Sequence, residues 1–319
     1  MLSRHSQIRT TAPIATGAYT DQEQLMQLRK LAGRLHISPP ARALAQLAGP
    51  LRSNFRGRGI EFEEVRKYTA GDDVRNIDWR VTARTGEVFT KQFREERERP
   101  VLVLVDQRSN MFFGSRHTLK SVQAAHTASL LAWATIAAGD RLGGLVLGDQ
   151  EHHEVRPRRS RHAVMELLRL INHFNHQLGV TPGRAPKPVA LAQALLSMRR
   201  IARPGSLILL ISDFADWDEE CERQLRLSAR HAEINAIQVT DPLEQHLPGR
   251  GRMAVSDGES RKLLDASDAV TRQQYEEDYR HQQETLRNCL ARSGVPLLPI
   301  QTSESALDVL SRYYRGGKR

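Results

Sequence analysis

Five short apolar runs punctuate the last two thirds of the chain: "VLVLV" (101–105), "LGGLVL" (142–147), "SLILLI" (206–211), "INAIQV" (234–239) and "VPLLPI" (295–300). Each is too short for a core helix and too uniformly apolar for a strand with one wet face, so each reads as a strand buried on both faces. Amphipathic helical spacing fills the intervals, near 118–138, 160–176, 189–202, 217–230, 268–293 and 303–314. Strands that alternate with helices of this length must cross over and run parallel, with helices covering both sides. The expected fold is therefore a three-layer, Rossmann-like α/β sheet. "HHEVRPR" (152–158) fits an antiparallel strand at its edge, and "GRGRMAVSDGESRKLL" from Gly249 fits a separate hairpin.

In such a sheet, ligands bind outside the carboxyl ends of the strands. Two carboxylates fall there, Asp106 after "VLVLV" and Asp213 after "LILLIS". Paired acids at adjoining strand ends often hold a cation, yet Arg108 stands two residues after the first of them.

Upstream the character changes. Residues 1–20 lack periodicity and read as a tail, and Leu25, Leu28, Leu31, Ala32 and Leu35 lie at helical spacing. A second helix is expected to open at Ser38-Pro39 and to close at Gly49-Pro50, which makes 21–50 a helical N-terminal extension. Residues 51–99 are rich in charge and turns, with short alternating segments around Ile60, Phe62 and Val65 and around Val88, Phe89 and Phe93. This is a small β-rich module, preceding an α/β domain at 100–315.

With 319 residues, 39% of them hydrophobic, the chain has ample core, and no run approaches the roughly 20 apolar residues of a membrane span. The N-terminus shows no apolar leader, and Cys221 and Cys289 are too few for a disulfide framework, so a cytoplasmic location is expected. A formal net charge of +10 favours acidic partners. The arginines are nonetheless mixed with glutamates along the chain. The densest basic run, Arg156–Arg161, reads as a surface loop, and aromatic residues at 5% provide no stacking platform. Nucleic acid is therefore not the favoured partner, and peripheral attachment to an anionic membrane is a third reading.

A catalytic reading is invited by Asp72, Asp73 and Asp78, since a metal-dependent phosphodiesterase needs carboxylates converging on Mg²⁺. Arg75, Arg80 and Arg84 are interleaved with them, which points instead to an ion-paired scaffold loop, with Trp79 and Ile77 expected to anchor it on a core. His173 and His176, and His152 and His153, lack a third ligand and read as surface or cap histidines. No nucleophile elbow, phosphate-cradling loop or Cys–His pair is present.

The segment "YTAGDDVRNIDWRVTARTG" followed by the Glu-rich "EVFTKQFREERE" resembles the signature of the bacterial domain of unknown function 58 family. The match is carried by Tyr68, Gly71, Asp72, Asp73, Arg75, Ile77, Asp78, Trp79, Ala83, Arg84, Thr85 and Gly86. From Pro100 onward the chain resembles a von Willebrand factor type A domain. That fold usually carries Asp-x-Ser-x-Ser after its first strand, a Thr in a second loop and a later Asp, which together supply hard oxygens to Mg²⁺. Asp106 and Asp213 keep the two acidic positions, but Arg108 and Asn110 replace the serines and Val189 stands at the Thr position. The resemblance thus implies a degenerate metal-ion-dependent adhesion site with no metal and no cofactor. Arg108 is expected to fold over the Asp106/Asp213 pair as the missing cation, or alternatively to receive a partner's carboxylate. The resemblance further implies a non-enzymatic adaptor that works with a MoxR-type AAA+ ATPase and an unknown client protein in chaperone-like assembly or remodelling.

Overall fold

The computed structural model describes residues 15–33, 35, 37, 60–69, 72, 74, 77–95, 100–179, 189–256 and 261–315. Two short N-terminal helices, α1 (Gln22–Gln27) and α2 (Arg29–Ala32), come first. The signature segment follows with β1 (Ile60–Lys67), α3 (Trp79–Thr85) and β2 (Phe89–Glu95). Then come β3 (Pro100–Asp106), α4 (Lys120–Ala137), β4 (Arg141–Leu147), β5 (His152–Arg158), α5 (Arg161–Asn175), α6 (Leu191–Ile201), β6 (Leu207–Ser212), α7 (Glu219–Ala229), β7 (Glu233–Thr240) and α8 (Pro242–Gln245). The chain closes with β8 (Arg252–Ser256), β9 (Arg261–Asp265), α9 (Ala269–Arg292), β10 (Leu297–Gln301) and α10 (Ala306–Arg315). It divides into two compact units, Asn54–Arg99 and the remainder.

In the larger unit the strand order is β10-β7-β6-β3-β4-β5, with every neighbouring pair parallel except β4 and the antiparallel edge strand β5. Counted from β3, this is the doubly wound order 3-2-1-4-5-6, whose reversal lies between β3 and β6. The expected three-layer, Rossmann-like α/β fold is thereby realised. The alternation of β3 builds both cores: Val101, Val103 and Val105 face α4, α5, α10 and the N-terminal helices, while Leu102 and Leu104 face α6, α7 and α9. Period-2 side-chain geometry makes one strand serve two layers. The paired glycines of β4 belong to this packing. A Cβ at Gly144 would lie 2.2 Å from the Val103 carbonyl oxygen, and one at Gly143 would lie 2.8 Å from the Pro157 ring of β5.

Residues read as tail and extension are partly built into this unit. Leu25 is fully buried, and its carbonyl accepts from Ser129 Oγ (2.7 Å) and Trp133 Nε1 (3.3 Å) on α4. Thr20 N donates to Asn175 Oδ1 (2.8 Å), and Tyr19 OH donates to the Leu178 carbonyl (3.1 Å). The expected helix at 38–49 lies outside the described residues.

In the smaller unit β1 and β2 pair antiparallel, with a register shift between Phe62 and Glu64. Asp78 caps α3 by accepting from Arg80 N and Val81 N (3.0 and 3.1 Å), and Gly86 closes it at φ 75°, where a Cβ would be strained.

Candidate functional site

The loops after β3, β4 and β6 meet at the switch point of the sheet, and Asp106 stands at its centre with no solvent exposure. Arg108, 3% exposed, turns back over it. Its Nε donates to Asp106 Oδ1 (3.0 Å) and its Nη2 to Asp106 Oδ2 (2.7 Å). The same guanidinium forks onto Asp216, with Nη1 to Oδ2 at 2.6 Å and Nη2 to Oδ1 at 2.9 Å. Its fifth N–H reaches the Val189 carbonyl (3.1 Å). All five donors of the planar fork are thereby used. Ser212 Oγ donates to Asp106 Oδ2 (2.7 Å), so the remaining lone pairs of the buried acid are also engaged.

A second cation holds the other acid. Lys120, 3% exposed at the start of α4, donates through Nζ to Asp213 Oδ2 (2.7 Å) and Glu244 Oε1 (2.5 Å). Asn110 Nδ2 and Ala215 N complete Asp213 at Oδ1 (2.8 and 3.0 Å). Between Asp213 and Asp216 the chain passes through Phe214 at φ 58°, the single described non-glycine residue with positive φ. A bulky side chain in the left-handed region costs about 1–3 kcal/mol and marks a position held by its surroundings. Here those are the Ser212 hydroxyl, which accepts from Phe214 N at 3.0 Å, and the edge-on Trp217 ring, 5.9 Å away.

The electrostatics follow from burial and pairing. Burial opposes the charges of Arg108 and Lys120, but their carboxylate partners outweigh it and both pKa values are raised. For Asp216, burial is overcome by the Arg108 guanidinium and the carboxyl is held below its usual range. Asp213 goes the other way: burial dominates and raises it, with Lys120 pulling against the shift. Both buried bases are therefore fixed cations.

The structure brings the residues singled out by the sequence together, with contacts that differ from those expected. Asp106, Arg108, Asn110, Val189 and Asp213 do converge on the switch point. Arg108, however, bridges Asp106 and Asp216, not Asp106 and Asp213, because Asp213 is already held by Lys120. Val189 contributes only its backbone, the carbonyl to Arg108 (3.1 Å) and the N–H to Asp149 O (2.8 Å), and its apolar side chain has no oxygen to offer a metal. A partner's carboxylate finds no free donor on Arg108. Among the described residues no cluster of three or more His, Cys, Asp or Glu side chains is arranged to hold a metal. The residues at the switch point do not fit Mg²⁺: a guanidinium lies against Asp106 where hydroxyl ligands would be required. Lys120 was legible in principle. It is the one Lys, Arg, Asp or Glu in an eighteen-residue helix, at the end where the helix dipole disfavours a cation.

In the signature module the acids are structural as far as they are described. Asp72 accepts from Arg66 Nη2 (2.7 Å) and Thr69 N (2.9 Å), and the Arg66 contact lowers its pKa. Asp78 caps α3. Tyr68 is half-buried, with its N–H on the Val88 carbonyl (2.9 Å), and Arg84 is exposed. Trp79, expected to anchor the loop, is 69% exposed instead, because the Asp78 cap begins the helix with that side chain pointing outward. Gly71, Asp73 and Arg75 lie outside the described residues. Among the described residues no helix is long and apolar enough to cross a membrane.

Solved structures with a similar chain path include the conserved hypothetical protein BatB from Bacteroides thetaiotaomicron, at 13% identity over 67% of this chain and 96% of that one, with a TM-score of 0.38. A von Willebrand factor type A protein from Catenulispora acidiphila is similar at 10% identity over 72% of this chain and 44% of that one, with a TM-score of 0.39. An uncharacterized protein of Mycobacterium tuberculosis is 30% identical over 269 residues, which is 82% of this chain and 81% of its relative. The profile of one family spans residues 64–285, from the signature module through the switch-point loops and into α9. The strand module and the von Willebrand A-like sheet are thus matched together, and the chain belongs to the family described as Protein of unknown function DUF58.

Proposed function

We propose that this protein is a non-enzymatic interaction adaptor that works with a MoxR-type AAA+ ATPase in assembling or remodelling client proteins. Its recognition surface is the switch-point end of the sheet. The observation that carries the reading is the saturated guanidinium of Arg108 on Asp106 and Asp216. It preserves the architecture of an adhesion-type site while supplying the cation from the chain itself, so recognition there is independent of divalent metal. The ATPase partnership rests on the family resemblance of the signature segment. A phosphodiesterase reading finds less support, since Asp72 and Asp78 are engaged in a turn and a helix cap.

Affinity capture from native lysate, in Mg²⁺ and in chelator, tests this. Recovery of an AAA+ ATPase in both buffers is expected, with loss in Arg108→Ser and in Ser109→Arg, the latter an exposed position on the same switch-point loop where folding is spared. Capture that requires Mg²⁺, or recovery of nucleic acid with no ATPase, would overturn it.

A further inference from the structure

A cavity of about 630 Å³ opens beside the switch point, outside the carboxyl ends of β6 and β7 and against α9. Three carboxylates line it, Asp213, Glu244 and Asp278. Lys120, 3% exposed, is paired with two of them, Asp213 and Glu244, so it offsets one of the three charges. Three carboxylates against one buried ammonium leave the cavity acidic, in a chain whose formal net charge is +10. Its other walls carry aromatic rings, Trp217 from the loop before α7 and Tyr275 and Tyr279 one turn apart on α9, together with His281 and the amides of Gln238 and Gln282. On its floor Thr240 is 4% exposed, and its hydroxyl has no hydrogen-bond partner among the described residues. A buried, unanswered hydroxyl costs stability unless something meets it.

We propose that this cavity receives an arginine side chain of the protein partner. The inference rests on the interaction reading above and names the chemistry of that partner. An adhesion site loaded with metal would attract a carboxylate. Here Arg108 has no donor left and Lys120 is buried between Asp213 and Glu244, so what the cavity chiefly offers an incoming group is carboxylate and aromatic surface. A guanidinium suits all three features: its fork pairs with carboxylates, its plane stacks on Trp and Tyr, and one N–H can meet the Thr240 hydroxyl.

The test uses the full chain and a blocked Ala-Ala-Arg-Ala-Ala peptide, with citrulline and glutamate versions, titrated by calorimetry. The arginine peptide should bind with a Kd of about 1 mM, the scale of a single side chain. Citrulline should bind about tenfold more weakly and glutamate not measurably, since only the first keeps the charge that the carboxylates and rings attract. Asp278→Asn should weaken binding by about 2–5-fold and Thr240→Val by about tenfold. Equal binding of arginine and citrulline, preference for glutamate, or Asp278-dependent binding of spermidine as tight as that of the peptide would each overturn the assignment. Absence of peptide binding alongside intact ATPase capture would sink this inference alone. Absence of both would remove the adaptor reading as well.

Discussion

Replacing Arg108 by alanine removes five hydrogen bonds at once and leaves Asp106, with no solvent exposure, facing only Ser212 and the backbone. The relevant magnitude is that of breaking a buried pair from one side. It is about 3–5 kcal/mol, dominated by the stranded charge and not by the net worth of the bridge. Asp216 adds little, because its side chain is 40% exposed and water replaces the guanidinium there. For a unit of this size about 2–4 °C is lost per kcal/mol, so Tm should fall by about 6–20 °C. Urea unfolding followed by circular dichroism gives the free energy directly, and an unchanged slope would confine the effect to stability. The double variant Arg108→Ala/Asp106→Asn should recover a large part of the loss, since it removes the uncompensated charge. A single-variant loss under about 1 kcal/mol, or no recovery in the double variant, would refute the claim that Arg108 is the cation of this site.

Several further outcomes follow from the same geometry. Millimolar Mg²⁺ should leave the Tm of the wild type unchanged relative to chelator; a rise that Asp106→Ala abolishes would place a metal there. Lys120→Met should destabilise by about 3–5 kcal/mol, whereas Arg223→Ala, which breaks an exposed pair with Glu220, should leave Tm essentially unchanged. Burial lowers the pKa of His126 to about 4, so the unfolded chain takes up its proton first, near pH 6.5. Its contribution is full above pH 6.5 and is lost as pH falls toward 4, by about 3 kcal/mol in all, and His126→Leu should flatten that limb of the pH–stability curve. Gly144→Ala should cost about 1–3 kcal/mol by forcing β3 and β4 apart, while Gly249→Ala, in open space, should stay within about 0.5 kcal/mol.

How far the sequence carried depended on whether a property was periodic or conformational. The strands announced themselves because residues such as Val101 to Val105 are buried on both faces, and a parallel sheet tolerates little else. The site was legible at Asp106 and Asp213 because strand ends are fixed by topology. The partner of Arg108 was not. Asp216 lies three residues past Asp213, and only the left-handed turn at Phe214 brings its carboxylate under the guanidinium. Lys120 left a trace, an isolated charge at the wrong end of an apolar helix, which was readable only by asking what compensates it. Trp79 misled because a large apolar residue in a dense motif suggests an anchor, and periodicity says nothing about which way the first residue of a seven-residue helix faces. The ordered residues at 15–20 were hidden for a related reason. Their contacts, such as Thr20 to Asn175, are single polar bonds across 155 positions of sequence and leave no local pattern.

A metal ion at a recognition site has an occupancy, which varies with pH, with competing chelators and with the ion pool of the compartment. A guanidinium tethered two residues from its carboxylate has none of these dependences, because no concentration enters its equilibrium. It also has no exchange rate, so the site cannot alternate between loaded and empty forms as part of a binding cycle. Under the proposed adaptor role, any timing in engagement would come from elsewhere, from the partner's own state or from the availability of the proposed arginine side chain. On the proposed reading, Arg108 thus makes this a recognition site whose state does not answer to solution composition.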